Sequence, residues 1–188
     1  MKKDISLFDI IKRAVREKEP QFETLNNLID EKISSAVSIT FDDLATLASR
    51  DGDNFAISIE QDTEIDLNTI VFDDKKTTIT IRGSGKLSNA IEDVSFPGGK
   101  EPLFKIGKGT VLILENIALK AKSFISGCVV QLNGGILVFK HSVIVNECYM
   151  GGTNQRLSDE PGFVSGKSVN SMFCDVVSGN GKGIVYDY

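Results

Sequence analysis

The sequence of 188 residues has no tryptophan, one histidine, four prolines and three tyrosines, so phenylalanine supplies most of its aromatic surface. It contains no apolar run long enough to span a bilayer. The formal net charge is -5, and nucleic-acid binding depends on neutralising phosphates with lysine and arginine. The composition therefore argues against a nucleic-acid partner and a membrane span. It predicts a globular chain that is long enough to bury a core.

The chain also lacks the signals of an exported or metal-binding protein. Its N-terminus has a basic start, but Asp4, Asp9 and Lys12 interrupt any apolar stretch of the signal-peptide type. As written, the chain is predicted not to be an export precursor, and whether it is a fragment of one stays open. Three cysteines without a CxxC pair, and a single histidine, favour small free thiols over a disulfide or a zinc site. We therefore predict no metal site and no cofactor.

Helical periodicity is the first positive feature of the sequence. Over 4–18, apolar residues recur at spacings of three and four until Glu19-Pro20 interrupts the pattern. A second helix follows, and a third is predicted over 41–49, with Thr40 as N-cap and Asp43 completing a capping box. Because these stripes are too short for sustained heptads, docking onto the neighbouring domain is favoured over a coiled-coil partner site. The apolar positions of the first two helices are Ile5, Phe8, Ile11, Val15, Phe22, Leu25, Leu28, Ile29, Ile33 and Val37.

Short β-branched runs separated by Gly, Asn and Asp follow Gly52, and their lengths are those of strands. Two segments, 103–120 and 129–146, align with each other, so the repeat length is about 25 residues, within the range that builds solenoids. The aligned apolar pairs are Leu103–Val129, Phe104–Val130, Ile106–Leu132, Leu112–Leu137, Leu114–Phe139, Ile117–Val143 and Leu119–Val145.

Each repeat holds three short strands, which predicts a coil that stacks on its neighbour rather than a sandwich of hairpins. Alternation places Leu112, Leu114, Ile117 and Leu119 inside the coil. Ile113 and Glu115 are predicted to face outwards, and His141 is interpreted as a corner residue between strands. The N-terminal helices are expected to cover one open end of the stack, where unpaired strands would otherwise invite aggregation.

The segments TTITIRGSG, PLFKIGKGTVLILENIAL and VVQLNGGILVFKHSVIV resemble coils of pectate-lyase-like right-handed parallel β-helix proteins. More narrowly, they resemble the repetitive β-helix surface proteins of host-associated bacteria. The segment DLATLASRDGDNFAISIEQDTEIDL is similar to the helix and first coil that open such domains. The resemblance covers 41–146.

The resemblance implies an all-β solenoid, a right-handed single-stranded parallel β-helix with an N-terminal α-helical cap. The expected organisation is a cap segment over 1–49 and about five coils over 50–188, with a loop excursion near 147–170. It also implies a location at the cell surface or outside the cell. Since this chain has no signal peptide, a cytoplasmic location stays open.

The carboxylates that enzymes of this fold need are scarce. Such enzymes attack acidic polysaccharides with paired carboxylates, or with calcium-binding carboxylates and a base. No aspartate lies between Asp93 and Asp159, and the central coils carry only Glu101, Glu115 and Glu147 as acids. Lys140 or His141, not an acid, falls one repeat after Glu115. We therefore predict no catalytic residues, and an enzyme is the disfavoured alternative.

Charges are segregated along the chain. Acidic residues concentrate over 42–74, where a solvated face is favoured over calcium binding because the ordered spacing of a calcium loop is missing. Basic residues cluster around one coil, and they are candidates for binding an anionic glycan, although solvation is again the favoured interpretation. These candidate ligand-binding residues are Lys105, Lys108, Lys120 and Lys122.

The favoured function is a non-catalytic β-helix module for binding or display at or outside a bacterial cell surface, adhesin-like or structural. Its expected partner is a glycan or a host or surface protein. One alternative is a protein that binds or degrades acidic polysaccharides along the groove of the solenoid. A further alternative is an oligomeric fibre or spike segment that associates through the helices at 4–37.

Overall fold

In a computed structural model, the described residues are 5–14, 16, 22–40, 42–43, 54–60, 63–64, 70–72, 76–83, 94–96, 102–121, 130–145, 148–149, 156–158, 177–179 and 183–188. Over these residues the chain consists mostly of strands in parallel sheets, preceded by two helices. Lys122, most of the acidic segment 42–74 and nearly all of the predicted loop at 147–170 lie outside them.

The two helices are α1 (Leu7–Ala14) and α2 (Phe22–Ser34). Ser6 caps α1, because its hydroxyl donates to Asp9 Oδ2 at 2.7 Å and accepts the Asp9 N–H at 3.2 Å. This cap explains why α1 begins at Leu7 and not at residue 4, as its periodicity had predicted. The predicted apolar faces are confirmed for Phe8 and Ile11 in α1 and for Leu25, Ile29 and Ile33 in α2, all of which are buried. Ile5 and Phe22 were also predicted on these faces, but they are exposed, and Leu28 is half-buried.

Two predictions at the ends of the helices differ in outcome. Val37 does not extend α2: it starts a strand and is exposed. The Thr40–Asp43 capping contact is present, since both the N–H and the hydroxyl of Thr40 donate to Asp43 Oδ2, at 3.1 and 2.6 Å. Asp42 and Asp43 are helical, and the rest of the predicted third helix lies outside the described residues.

Fourteen strands follow in the described residues. They are β1 (Val37–Ser38), β2 (Asn54–Ser58), β3 (Thr63–Glu64), β4 (Ile70–Phe72), β5 (Thr78–Arg82), β6 (Val94–Phe96), β7 (Phe104–Gly107), β8 (Val111–Ala121), β9 (Val130–Asn133), β10 (Ile136–Val145), β11 (Cys148–Tyr149), β12 (Arg156–Ser158), β13 (Val177–Gly179) and β14 (Ile184–Asp187).

Three parallel ladders organise these strands. In the first, β1, β2, β5, β8, β10 and β14 lie side by side, each parallel to the next. In the second, β3 pairs with β6, and β6 pairs with the C-terminal part of β8, which continues onto β10. These two ladders share one sheet, here called the long sheet. The third ladder is a separate short sheet in the order β4, β7, β9, β13. Only β11 and β12 pair antiparallel among these strands.

The register of the ladders confirms the predicted repeat. Leu112 pairs with Leu137 and Leu114 with Phe139, after which a bulge between Lys140 and Val143 shifts the register by one residue. That bulge restores the residue that the sequence alignment had to skip. The other confirmed pairs are Ile117–Val143, Leu119–Val145, Phe104–Val130 and Ile106–Leu132, whereas Val129 lies outside the described residues.

One face of the long sheet and one face of the short sheet enclose a core of buried apolar side chains. Every described position predicted to point inside is in it, including Leu112, Leu114, Ile117 and Leu119. We call this the inner core. Its other members come from the equivalent positions of neighbouring strands and include Ile57, Ile81, Phe104, Ile106, Leu132, Leu137, Phe139 and Val185.

The opposite face of the long sheet carries a second core, here called the outer core. Ile113 is on this face, as alternation predicted, but it is fully buried and does not face solvent, because the two helices cover it. The helices therefore pack on the face of the long sheet, and the expectation that they cover the end of a stack is corrected. At the edge of the long sheet next to β2, the strand β1 pairs with β2, so a strand and not a helix covers that edge. The outer core contains Leu7, Phe8, Ile11, Leu25, Ile29, Ile33, Val111, Ile113, Ile136, Val138, Tyr186 and Tyr188.

Candidate functional site

Helix α2 crosses the strands of the long sheet from β14 to β2. Near its start, Asn26 Oδ1 accepts a hydrogen bond from the Tyr186 hydroxyl on β14. In its last turn, the Lys32 carbonyl accepts a hydrogen bond from Asn54 Nδ2 on β2 at 2.7 Å. The lengths agree, since 13 helical residues rise about 20 Å and four inter-strand steps measure about 19 Å. The helix thus reaches across five strands.

A row of polar side chains lies along this helix, at the end of β5 and midway along β8 and β10. Arg82, Glu115 and Lys140 are register partners on β5, β8 and β10. Tyr188 continues the row, because it follows Asp187, the register partner of Phe139. We call these four residues and Asp30 of α2 the polar row. Its charges alternate in sign from strand to strand, an arrangement that stabilises neighbouring strands.

Glu115 is the centre of the polar row. Its Oε2 lies 2.7 Å from Arg82 Nε, and its Oε1 lies 3.0 Å from Lys140 Nζ. The side chain of Glu115 is 12% exposed and that of Lys140 is 9% exposed. A charge buried this far is costly unless it is paired, and here each carboxylate oxygen has its own cation.

Asp30 connects the helix to the row. Its Oδ1 lies 2.8 Å from Lys140 Nζ and accepts a hydrogen bond of 2.8 Å from the Tyr188 hydroxyl. Partial burial raises the pKa of Asp30, but the hydrogen bonds from Lys140 and Tyr188 outweigh it, so the pKa lies below its ordinary value. Burial, and next the hydrogen bond to Asp30, raise the pKa of Tyr188. Both groups are thus held in the protonation states that bond to each other.

The residues that follow Glu115 and Lys140 have left-handed backbone. Asn116 (φ 46°) follows Glu115, and His141 (φ 60°) follows Lys140, so the two occupy equivalent places in successive strands. Asparagine and histidine are among the non-glycine residues that most often adopt this conformation. His141 was predicted to lie between strands, but it lies inside β10, at the bulge between Lys140 and Val143. Its Nε2 lies 4.0 Å from Glu115 Oε1, and its backbone N–H donates to the Tyr188 carbonyl at 2.8 Å.

The chemistry open to this arrangement is limited by its own pairing. An acid–base catalyst needs a carboxyl group that can exchange a proton with substrate. Glu115 is held by two cations instead, and Lys140 is shared between two carboxylates. Within the described residues, no group of three or more histidine, cysteine or acidic side chains is arranged to hold a metal ion. The polar row therefore acts as an anchor that ties α2 to β5 and β10 directly, and to Glu115 on β8 through Arg82 and Lys140.

The lysines selected from the sequence lie on different sheets. Lys105 is half-buried on β7 of the short sheet, and Lys108 is exposed in the turn that follows it. Lys120 is exposed on β8 of the long sheet. In that turn the Thr110 N–H donates to the Gly107 carbonyl at 3.2 Å, and Gly109 has a φ of 96°, which glycine adopts readily.

Sequence reasoning missed most of the polar row. It noted that Lys140 stands one repeat after Glu115, but it took this only as a missing acid. The alternation of Arg82, Glu115 and Lys140 at one repeat position was the available signal for a cross-strand ion-pair row. Asp30 and Tyr188 had no such signal, because neither belongs to a predicted repeat position.

Comparison with models of known protein families, with curated proteins and with solved structures gives no significant match. The resemblance to pectate-lyase-like proteins therefore stays a prediction. Neither described helix has the length and apolar character needed to cross a membrane.

Proposed function

We propose that the chain is an all-β solenoid, a right-handed parallel β-helix, that serves as a non-catalytic module for binding or display at or outside a bacterial cell surface. The fold part of the proposal is supported by the three ladders, in which each strand pairs with the equivalent strand of the next repeat. Right-handed coils follow from the strong preference of parallel crossover connections for that hand.

The polar row is the single observation that carries the non-catalytic part. Among the described residues, it is the place where largely buried carboxylate and ammonium groups meet, and each of them is paired. An active site on such a sheet would instead keep one carboxyl group unpaired and able to exchange a proton. The charged groups of the sheet are paired with one another and hold α2 in place. This arrangement is compatible with a rigid scaffold that presents a surface to a partner.

Two sets of assays test this proposal. The first measures turnover of polygalacturonate, hyaluronate and dextran by the release of reducing ends and of unsaturated uronates. We expect none. Turnover by the wild-type chain that Glu115→Gln abolishes, while the variant stays folded by circular dichroism, would contradict the non-catalytic assignment.

The second set measures binding to the same polysaccharides and to matrix proteins, at low and high salt. The test variant replaces Lys105, Lys108 and Lys120 with glutamine, and the matched control replaces Lys12, Lys32 and Lys76. Salt-sensitive glycan binding that only the first variant loses would establish the lysines as the ligand site. Binding to a matrix protein that both variants keep supports the display module. If no probe binds, the binding role is contradicted, and only the scaffold part of the proposal remains.

A further inference from the structure

The polar row holds an amine and a carboxyl group in contact with each other. Lys140 Nζ on β10 lies 2.8 Å from Asp30 Oδ1 on α2, although the two residues are far apart in the sequence. A third group touches the same nitrogen, because Glu115 Oε1 on β8 lies 3.0 Å from Lys140 Nζ. A nucleophile, a carboxyl group that it can attack and a carboxylate that can move protons therefore meet at one nitrogen atom.

We propose that Lys140 and Asp30 condense to form an amide between their side chains, which bonds α2 covalently to the long sheet. The reaction forms a bond from Lys140 Nζ to Asp30 Cγ and breaks the bond from Cγ to one carboxyl oxygen, which leaves as water. One ammonium and one carboxylate are consumed together, so the net charge of the chain stays the same and no further reactant is needed. This inference goes beyond the proposed function and requires no bound substrate.

The fold places the two reacting atoms close together. Lys140 Nζ lies 2.8 Å from Asp30 Oδ1 and a carbon–oxygen bond measures about 1.2 Å, so Nζ is at most about 4 Å from Cγ. The Asp30 side chain is 48% exposed, so its carboxyl group can turn its face towards the amine. Well-oriented groups of one molecule react as if each were present at about 10⁵–10⁸ M. This value is far above the concentration of water, the reactant that would hydrolyse the amide.

Glu115 supplies the proton transfers that the condensation needs. One proton first passes from the Lys140 ammonium to the Asp30 carboxylate along their 2.8 Å contact, which leaves a neutral amine and a neutral acid. After the amine attacks, Glu115 Oε1 takes a proton from the nitrogen and gives it to the departing oxygen, which leaves as water. Glu115 returns to its starting state. Arg82 Nε, 2.7 Å from Glu115 Oε2, holds the carboxylate in position throughout.

The Tyr188 hydroxyl assists the attack and sets its pace. It donates to Asp30 Oδ1 at 2.8 Å, the distance at which a donor stabilises the negative charge that develops on a carboxyl oxygen. Partial burial raises the pKa of Asp30, but the hydrogen bonds from Lys140 and Tyr188 outweigh it, so the neutral acid is a minor form. The freshly folded chain therefore holds the ion pair, and the amide accumulates slowly. A slow reaction is sufficient, because each chain reacts once.

The product fits the surroundings of the polar row. The new amide N–H can donate to Glu115 Oε1, and its carbonyl oxygen can accept from the Tyr188 hydroxyl. Glu115 keeps its ion pair with Arg82, so its largely buried charge stays compensated. The Lys140 side chain, 9% exposed, loses a charge that is costly to bury. The condensation therefore leaves no charged group of the polar row without a partner.

Mass spectrometry of the full chain tests the proposal. The purified protein is incubated for several days near neutral pH, and samples are denatured and weighed. The wild-type chain should progressively lose about 18 Da, the mass of one water. After digestion with trypsin, the peptide 19–32 should be joined to the peptide 123–156, which stays uncut at Lys140 because its amine is blocked. The peptide map is required, since an aspartate before glycine, as at Asp51-Gly52, also loses water when it cyclises.

Variants distinguish the condensation from a close contact that does not react. Lys140→Arg keeps the positive charge but has no amine nucleophile, so it should keep its full mass. Glu115→Gln keeps the shape of the side chain but cannot take up the proton, so the bond should form about 10²–10⁴-fold more slowly. Glu31→Gln, an exposed substitution next to Asp30, is the control and should lose water at the wild-type rate. Circular dichroism verifies that each variant is folded.

The outcomes that contradict the proposal are equally specific. A folded wild-type chain that keeps its full mass throughout the incubation would overturn it. Water loss that maps to peptides other than the pair containing Asp30 and Lys140 would overturn it as well. If folded Glu115→Gln forms the bond at the wild-type rate, the role given to Glu115 is wrong.

Discussion

The inner core and the outer core lie on opposite faces of the long sheet and are built in different ways. Equivalent positions of successive repeats supply the inner core, so one strand adds the same kind of side chain as the last. The outer core joins the other face of those strands, with Tyr186 on β14 and Tyr188 after it, to α1 and α2, and the helices do not repeat. The comparison shows that the parallel strands themselves supply the apolar side chains of the inner core. The opposite face of the long sheet has to be covered by the two helices.

Polar anchoring also separates the two cores. The members of the inner core are apolar side chains, and the described buried charge, Lys140, belongs to the polar row. The outer core is bordered by the polar row, whose contacts join α2 to β5 and β10, while Glu115 of β8 pairs with the cations of these two strands. Apolar contact has no direction, so it holds a helix on a sheet without fixing its angle or position. We infer that the polar row determines where α2 lies.

The largest expected effect is damage to the inner core. Phe139→Ala removes a fully buried ring, and we expect the free energy of unfolding to fall by about 3–5 kcal/mol. Urea unfolding followed by far-ultraviolet circular dichroism measures this loss. Val71→Ala, at a position 42% exposed on β4, is the control and should change stability little. A Phe139→Ala variant as stable as this control would contradict the inner core.

A smaller loss is expected in the outer core. Ile29 is fully buried between α2 and the long sheet, and Ile29→Ala should cost about 2–4 kcal/mol. Its local signature should differ from that of Phe139→Ala. Amide hydrogen exchange should accelerate in α1 and α2 while the β8 and β10 amides stay protected, because stacking maintains the inner core. Equal acceleration in helices and strands would show that the two cores are one cooperative unit.

Removing the central charge of the polar row should cost less again. Glu115→Gln keeps the shape of the side chain but leaves Arg82 facing a neutral group and Lys140 with Asp30 alone. Breaking a largely buried pair of this kind should cost about 2 kcal/mol, reduced by the partial exposure of Arg82 and Asp30. Glu31→Gln, an exposed substitution on α2, is the matched control. Equal unfolding midpoints for the two variants would show that the polar row does not anchor the helix.

The smallest expected effect is a dependence on pH. The pKa of Asp30 is lower in the folded chain than in the unfolded chain. Its contribution is therefore fully present above the unfolded pKa, near 3.9, and is lost as the pH falls through the folded pKa. Asp30→Asn should lower the urea midpoint at pH 7 and reduce its further fall on acidification below about pH 4. Asp42→Asn is the control. Parallel pH profiles for Asp30→Asn and wild type would contradict this coupling.

Much of the inner core was predictable from the sequence, and the outer core was not. Alternation and the 25-residue alignment identify the Leu112–Leu137 and Leu114–Phe139 pairs. They do so because equivalent positions of successive repeats all require an apolar side chain. The outer core was missed because Ile113 was assigned to solvent by alternation alone. Yet 111–114 and 136–139 are apolar at four consecutive positions, a pattern typical of strands buried on both faces.

The polar row could be predicted only in part. Arg82, Glu115 and Lys140 occupy one repeat position, so their contact follows from the register. The contact of Asp30 with Lys140 and Tyr188 depends on the angle at which α2 crosses the sheet. Helical periodicity determines which face of a helix is apolar, but it does not determine the direction of the helix on its partner.

The stacked parallel register is the central claim, and paired cysteines test it directly. In a background with the three native cysteines replaced by serine, Lys105→Cys combined with Gln131→Cys joins register partners on β7 and β9. Parallel neighbours lie about 4.8 Å apart, within disulfide range, whereas an offset of two residues gives about 8 Å. We predict rapid disulfide formation for this pair and none for Lys105→Cys with Asn133→Cys. Preferential cross-linking of the offset pair, or equal cross-linking of both, would contradict the register and the fold built on it.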